Sequence, residues 1–90
     1  MLKRQLLIQN KLGLHARAAA KLVTLANRFQ ANISLSTGKM TAHTKSIMGL
    51  MMLSATCGTS IELTADNAPD SEKAMEAIEA LIQNRFDEPE

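Results

Sequence analysis

Tryptophan and tyrosine are absent from this 90-residue chain, and Phe29 and Phe86 are its only aromatic rings. Binders of single-stranded nucleic acid stack bases on aromatic platforms, and two phenylalanines do not build one. An excess of one charge is missing too: ten Lys and Arg against nine Asp and Glu leave a net charge of +1. That gives no electrostatic footprint for DNA or RNA, so no nucleic-acid partner is expected. Cys57 is the sole cysteine, which rules out an intrachain disulfide and agrees with a reducing compartment. No segment approaches the ~20 apolar residues needed to span a bilayer. Residues 1–10 carry the basic pair Lys3-Arg4 but no apolar stretch of signal-peptide length. A cytoplasmic protein without membrane insertion is the expectation.

Glycine and proline are sparse, four and two residues, and do not gather into a linker. No repeat or low-complexity tract interrupts the chain, so residues 1–90 read as a single domain. A chain of this length buries somewhat over roughly 60% of its unfolded surface, enough for one core without metal or disulfide support.

Leu2 to Gln9 alternates, with Leu2, Leu6 and Ile8 on one face and Lys3, Gln5 and Gln9 on the other, as a half-buried strand does. Asn10 to Leu14 breaks the pattern as a loop. From Ala16 to Phe29 the period becomes helical: Ala18, Leu22, Leu25, Ala26 and Phe29 share a face opposite Arg17, Lys21, Thr24 and Arg28. Asn32–Thr37 and Met40–Thr44 alternate around Gly38-Lys39 and predict a hairpin. Ser46 stands as N-cap of a short helix through Leu53, with Gly58 as the residue ending it. Ser60 to Ala65 alternates again, and a last helix begins near Pro69 with Asp70 and Glu72 in its first turn. Residues 87–90, Asp-Glu-Pro-Glu, form an acidic tail expected to fray. The order β-α-β-β-α-β-α predicts an α+β fold, an antiparallel sheet covered on one face by helices.

The stretch Leu12-Gly13-Leu14-His15-Ala16-Arg17-Ala18 is the one with chemistry in it. His15 falls at the boundary of loop and helix, where an N-cap belongs. The first N–H groups of a helix lack intrahelical acceptors and carry the positive end of its dipole. An anion attached to His15 would meet the N–H groups of Ala16, Arg17 and Ala18, and the Arg17 side chain could close over it. The same field favours a ring nitrogen that keeps its lone pair, as a nucleophile needs. Alanines around it leave the surface open. By themselves these residues support two readings, an anion-binding histidine or an incidental one at a helix start. His43 reads as a surface residue, and two histidines with one cysteine make no metal-ligand set. Neither a metal nor a cofactor is expected.

Leu12-Gly13-Leu14-His15-Ala16-Arg17 resembles the phosphorylation motif of the HPr family, the histidine phosphocarriers of the bacterial phosphoenolpyruvate phosphotransferase system. Lys45-Ser46-Ile47-Met48-Gly49-Leu50-Met51-Met52-Leu53 resembles the family's second motif, around its regulatory serine, and the element order agrees over essentially the whole chain. The resemblance implies an open-faced β-sandwich with sheet order 1-4-2-3 and three helices on one face. It implies that His15 takes a phosphoryl group on Nδ1 from phosphorylated enzyme I and passes it to an EIIA-type protein, with Arg17 steadying the phosphate. Such a protein is a carrier rather than a classical enzyme, and a monomer suits a site that must be freely reached. The family motif has proline where this chain has Ala18. Alanine leaves the unfolded state less restricted, a loss of a few tenths to ~1 kcal/mol, and adds an N–H. The alanine run and the Met-rich segment look more like the nitrogen-related branch, NPr.

Ile47, Met48, Met51 and Met52 cannot all be buried by a short helix. Leu50 and Ile47 are read as core, and Met48, Met51 and Met52 as a partly exposed patch whose thioethers adapt to several partners. The family's docking surface adds Ala20, Lys21, Thr24 and Asn27 and extends to Ile47. Ser46 needs no role beyond capping, although the matching serine of some branches is phosphorylated by a dedicated kinase. The competing function is a regulatory binding module switched by phosphorylation of His15 or Ser46 without relay duty.

Overall fold

A computed structural model describes residues 2–89. Seven elements follow in the expected order: β1 (Leu2–Leu7), α1 (Ala16–Ala26), β2 (Ile33–Ser36), β3 (Thr41–His43), α2 (Ile47–Met52), β4 (Ser60–Ala65) and α3 (Ser71–Gln83). A left-handed turn, Arg85–Asp87, follows α3. The strands form one antiparallel sheet in the order β1-β4-β2-β3.

The register explains why period two was readable. Leu35 pairs with Leu63, and Ile33 with Ala65, so the apolar members of β2 and β4 share the face beneath the helices. On β1, Leu2 and Leu6 sit opposite Ala65 and Ile61 on that same face. Arg4 lies between them, opposite Leu63. It is tolerated because β1 is the edge strand: its guanidinium reaches Glu79 of α3, Nε to Oε1 3.8 Å, with the side chain 43% exposed. Helix α3 packs over β1 and β4, α2 beside β3, and α1 against both other helices. Between the layers lie Leu22 of α1, Leu50 of α2 and Met75, Ile78 and Ile82 of α3, each fully buried. Thr44 joins them as a buried polar residue by spending its hydroxyl on the Ile33 carbonyl at 2.9 Å.

Four details depart from the sequence reading. Helix α1 ends at Ala26 rather than Phe29. The backbone N–H groups of Gln30 and Ala31 are drawn to the Asp70 carboxylate at 2.8 and 2.9 Å, which turns the chain toward β2. Asp70 therefore stands at the N-cap of α3 without capping it. Gly58 does not end α2, because Ser54 enters the left-handed region (φ 53°) directly after the Leu53 cap. Gly58 (φ 89°) instead turns the chain just before β4. Ile47 is 40% exposed, since of the stripe Ile47, Leu50, Leu53 only the last two lie under other elements.

The fourth departure matters most. The tail does not fray over residues 87–89; Glu90 lies outside the described residues. Arg85, Phe86 and Asp87 all adopt positive φ, 58°, 53° and 63°, a conformation L-residues avoid. Phe86 is fully buried, and Lys21 Nζ donates to its carbonyl at 2.8 Å. Burial of a whole aromatic side chain, worth roughly 1.5–3 kcal/mol, opposes the strain and bends the chain back across the start of α1.

The loop ahead of α1 is tied just as firmly. Gly13 has φ +69°, and a Cβ there would stand 2.5 Å from the Ala55 carbonyl oxygen. Leu14 N–H donates to that same carbonyl at 2.8 Å. Gly13→Ala must therefore move backbone as well as adopt a strained φ, and it should destabilise the protein by about 2–4 kcal/mol in chemical denaturation.

Candidate functional site

His15 sits in extended backbone (φ −81°, ψ 177°) as the N-cap of α1. The capping atom is in its own ring: Nδ1 accepts the Arg17 N–H at 3.2 Å. A backbone N–H can only donate, so Nδ1 carries no proton in this arrangement. The other nitrogen, Nε2, meets the Glu88 carboxylate through Oε2. The geometry thus selects one neutral tautomer, with the proton on Nε2 and the lone pair on Nδ1 toward the helix N-terminus.

Glu88 is held by more than the ring. Its Oε1 accepts Asn10 Nδ2 at 2.9 Å, and the same amide nitrogen donates to the Gly13 carbonyl at 2.7 Å. Asn10 is fully buried, so one side chain ties the loop before His15 to the tail behind it. Burial pushes the Glu88 carboxyl up, but hydrogen bonds from Asn10 and His15 and the nearby Lys21 charge outweigh it and hold the group below its ordinary range.

Around this pair opens a cleft of about 570 Å³ lined by Lys11, Leu12, His15, Arg17, Glu88 and Pro89. Arg17 is exposed there, with a side chain free to swing over an anion bound at the helix start. Ala16 is exposed and Ala18 fully buried, so the small residues open one side of the helix start and pack the other. Among the described residues no group of three or more His, Cys, Asp and Glu is placed to hold a metal ion, nor is any helix long and apolar enough to cross a membrane.

The expected partner-facing residues are only partly accessible. Met48, Met51 and Met52 are 72%, 43% and 63% exposed on α2, which packs beside α1. Thr24 and Asn27 are exposed on α1, whereas Ala20 is half-buried. Lys21 is half-buried too, its ammonium turned to the Phe86 carbonyl. Ser46 accepts the Gly49 N–H at 3.1 Å, as an N-cap should. Asn10, Lys11, Glu88 and Pro89 at the site were given no role from sequence, and Leu12 of the motif stands 69% exposed beside His15. Phe86, a lone ring beyond the apolar face of α3, was the available signal that the tail packs down.

The sequence profile described as "PTS HPr component phosphorylation site" matches residues 2–84. The phosphocarrier protein HPr of Cupriavidus necator is 50% identical over 90 residues, covering all of both chains. The phosphocarrier protein NPr of Shewanella violacea is 46% identical over 87 residues, covering 97% of this chain and 94% of that one. The crystal structure of HPr from Thermoanaerobacter tengcongensis superimposes with a TM-score of 0.93 at 37% identity, covering all of both chains.

The direction of the Glu88 shift sets an acid limit. A carboxyl held below its unfolded value stabilises the fold above that value, and the contribution is lost as pH falls through the folded one. Glu88→Gln should therefore melt a few degrees below wild type at pH 6–7, and the gap should close below about pH 4, near the ordinary glutamate range. Thermal melts followed by circular dichroism from pH 3 to 7 check this. A gap independent of pH would mean the carboxylate charge is not what stabilises.

Proposed function

The chain belongs to the HPr family of phosphocarriers of the phosphotransferase system (PTS), and from that premise we propose that His15 is its carrier residue, loaded by phosphorylated enzyme I and unloaded onto an EIIA-type protein. The observation that carries the assignment is the ring geometry: Nδ1 is the nitrogen without a proton, and it faces the N–H of Arg17. An incoming phosphoryl group on Nδ1 would take over that N–H, and its oxygens would sit at the positive end of α1 among the N–H groups of Ala16, Arg17 and Ala18. Arg17 would supply the mobile charge that follows the phosphoryl group in and out.

Donor and acceptor must reach the same atom, so one surface serves both. The exposed α2 side chains Ile47, Met48, Met51 and Met52 adjoin α1, whose Ala20, Lys21, Thr24 and Asn27 complete the surface. Methionine suits a patch that fits two different partners, because its flexible thioether repacks. Ser46 is a capping residue whose phosphorylation would place negative charge beside this surface and repel an acidic partner. Open access to His15 suits a monomer, and a sole cysteine suits the reducing cytoplasm.

Ala18 and the Met-rich α2 support a nitrogen-related EIIA as the first acceptor to test. Identity alone does not favour that branch, since a relative named HPr is slightly more similar than the one named NPr.

Incubation with phosphoenolpyruvate and enzyme I should give acid-labile, base-stable phosphate on the wild-type protein and its passage to EIIA. His15→Ala should take up none; labelling equal to wild type would sink the carrier assignment. Arg17→Ala should stay folded and transfer roughly 10–100-fold more slowly, the range for loss of a charge-assisted contact worth about 1.5–3 kcal/mol. Met48→Glu should weaken binding to enzyme I and to EIIA alike, and loss toward only one would refute a shared surface.

A further inference from the structure

The tail contact adds a residue to this chemistry. We propose that Glu88 is a positioning residue for His15, holding the Nε2 proton so that Nδ1 is bare in the resting protein and the ring stays protonated at Nε2 once Nδ1 carries a phosphoryl group. The inference rests on the carrier reading of His15 and deepens it.

Three observations carry it. The ring is bracketed by fixed partners of opposite kind, a backbone N–H at Nδ1 and a carboxylate at Nε2. The reverse tautomer would point hydrogen at hydrogen on one edge and lone pair at carboxylate on the other. The carboxylate is anchored as well: two donors, Asn10 Nδ2 and His15 Nε2, take its two oxygens. Behind it the chain is pinned by buried Phe86 and by Lys21 on the Phe86 carbonyl. Finally, cationic side chains stand around the Glu88 carboxylate. Lys11 and Arg17 line the cleft with Glu88, and Lys21 acts on Glu88 from α1. Asp87, the other tail carboxylate among the described residues, is taken by Asn84 Nδ2 at 2.8 Å.

The transfer balances without a proton leaving the site. The Nδ1 lone pair forms the bond to phosphorus, the bond from phosphorus to the donor's leaving atom breaks, and its electron pair stays with the donor. The ring, with Nε2–H retained, is then a cation paired with the Glu88 carboxylate. In onward transfer the acceptor's nucleophile bonds to phosphorus, and the P–Nδ1 pair returns to the ring. Neutral imidazole departs. Had Nε2 lost its proton first, the leaving group would be an imidazolate, a much poorer one. Glu88 thus acts on the far edge of the ring from the reacting atom.

Two NMR readouts and one rate test this on the full chain. In unphosphorylated wild type, the Nε2–H proton should give a downfield resonance protected from exchange, correlated with 15N of the His15 ring. Glu88→Ala should lose it. In the phosphorylated protein, 31P and ring 15N shifts should report loss of the Nε2 proton at a pH about one unit lower in Glu88→Ala, the effect of removing one nearby opposite charge. Transfer to EIIA should then be about tenfold slower at high pH, where the variant's ring has lost the proton, and converge with wild type at low pH, where both rings keep it. Glu88→Gln keeps the size but offers one acceptor oxygen to two donors, and it should fall between. It also serves if the alanine variant loosens the tail. Unchanged 31P titration in both variants overturns the proposal, and so does a changed titration with an unchanged rate at every pH. The first readout needs no donor protein, so a failed carrier assignment, seen as labelling of His15→Ala, is distinguishable from a failed role for Glu88.

Discussion

The bond from the Arg17 N–H to Nδ1 of His15 organises the site. It makes the imidazole the cap of α1, so the ring's orientation is set by a helix and not by a loop. A helix packed by fully buried Ala18, Ala19 and Leu22 hardly moves, and the nitrogen it orients inherits that rigidity. The loop that delivers His15 is fixed by Gly13, which passes too near the Ala55 carbonyl for any side chain. Behind the ring, the tail is fixed by Phe86. Rigid backbone on both sides flanks the exposed side chain of Arg17.

The sheet and helices stand further back but decide the same thing. The pairing of Leu35 with Leu63, and of Leu6 with Ile61, locks the face on which the helices rest; a slip of one residue would turn every one of those side chains outward. With α1 seated on that face, its N-terminus emerges beside the start of the loop from β1 and beside the residues after α2. Leu14 N–H on the Ala55 carbonyl joins the two. The site is thus a junction of three chain segments, residues 10–17, 53–56 and 85–89, and none is near another in sequence.

That junction explains what the sequence could disclose. Periodicity reports burial on one face, so β1, β2, β4, α1 and α3 were all legible. The helix-start placement of His15 was legible because caps and dipoles are local. The family resemblance then supplied sheet order 1-4-2-3, which periodicity does not contain, and the structure has that order. Element ends were misread where a distant residue decides them. Asp70 captures the Gln30 and Ala31 N–H groups, and nothing near Phe29 announces it. Glu88 was hidden for the same reason: an acidic residue in a charged tail looks solvated until buried Phe86 and Asn10 bring it to the ring. Asn10 is hidden more deeply still, since a polar residue after a strand reads as a turn.

A phosphoryl relay has a requirement that a binding site does not: it must release what it holds. A fully enclosed cradle of cations would bind the phosphorylated state tightly and stall it there, because binding the ground state as well as the transition state adds nothing to rate. Here the fixed donors are helix N–H groups, whose field is worth only ~0.3–1 kcal/mol at an exposed end. The strong charge is on an exposed side chain, screened by water. The buried contact, Asn10 to Gly13, and the part-buried one, Asn10 to Glu88, lie behind the ring and not around the phosphoryl position. In the proposed relay the tail and loop contacts behind the ring govern its proton, and the exposed Arg17 side chain follows the phosphate. That division lets one histidine serve as a prompt acceptor and a willing donor without any change of fold between the two.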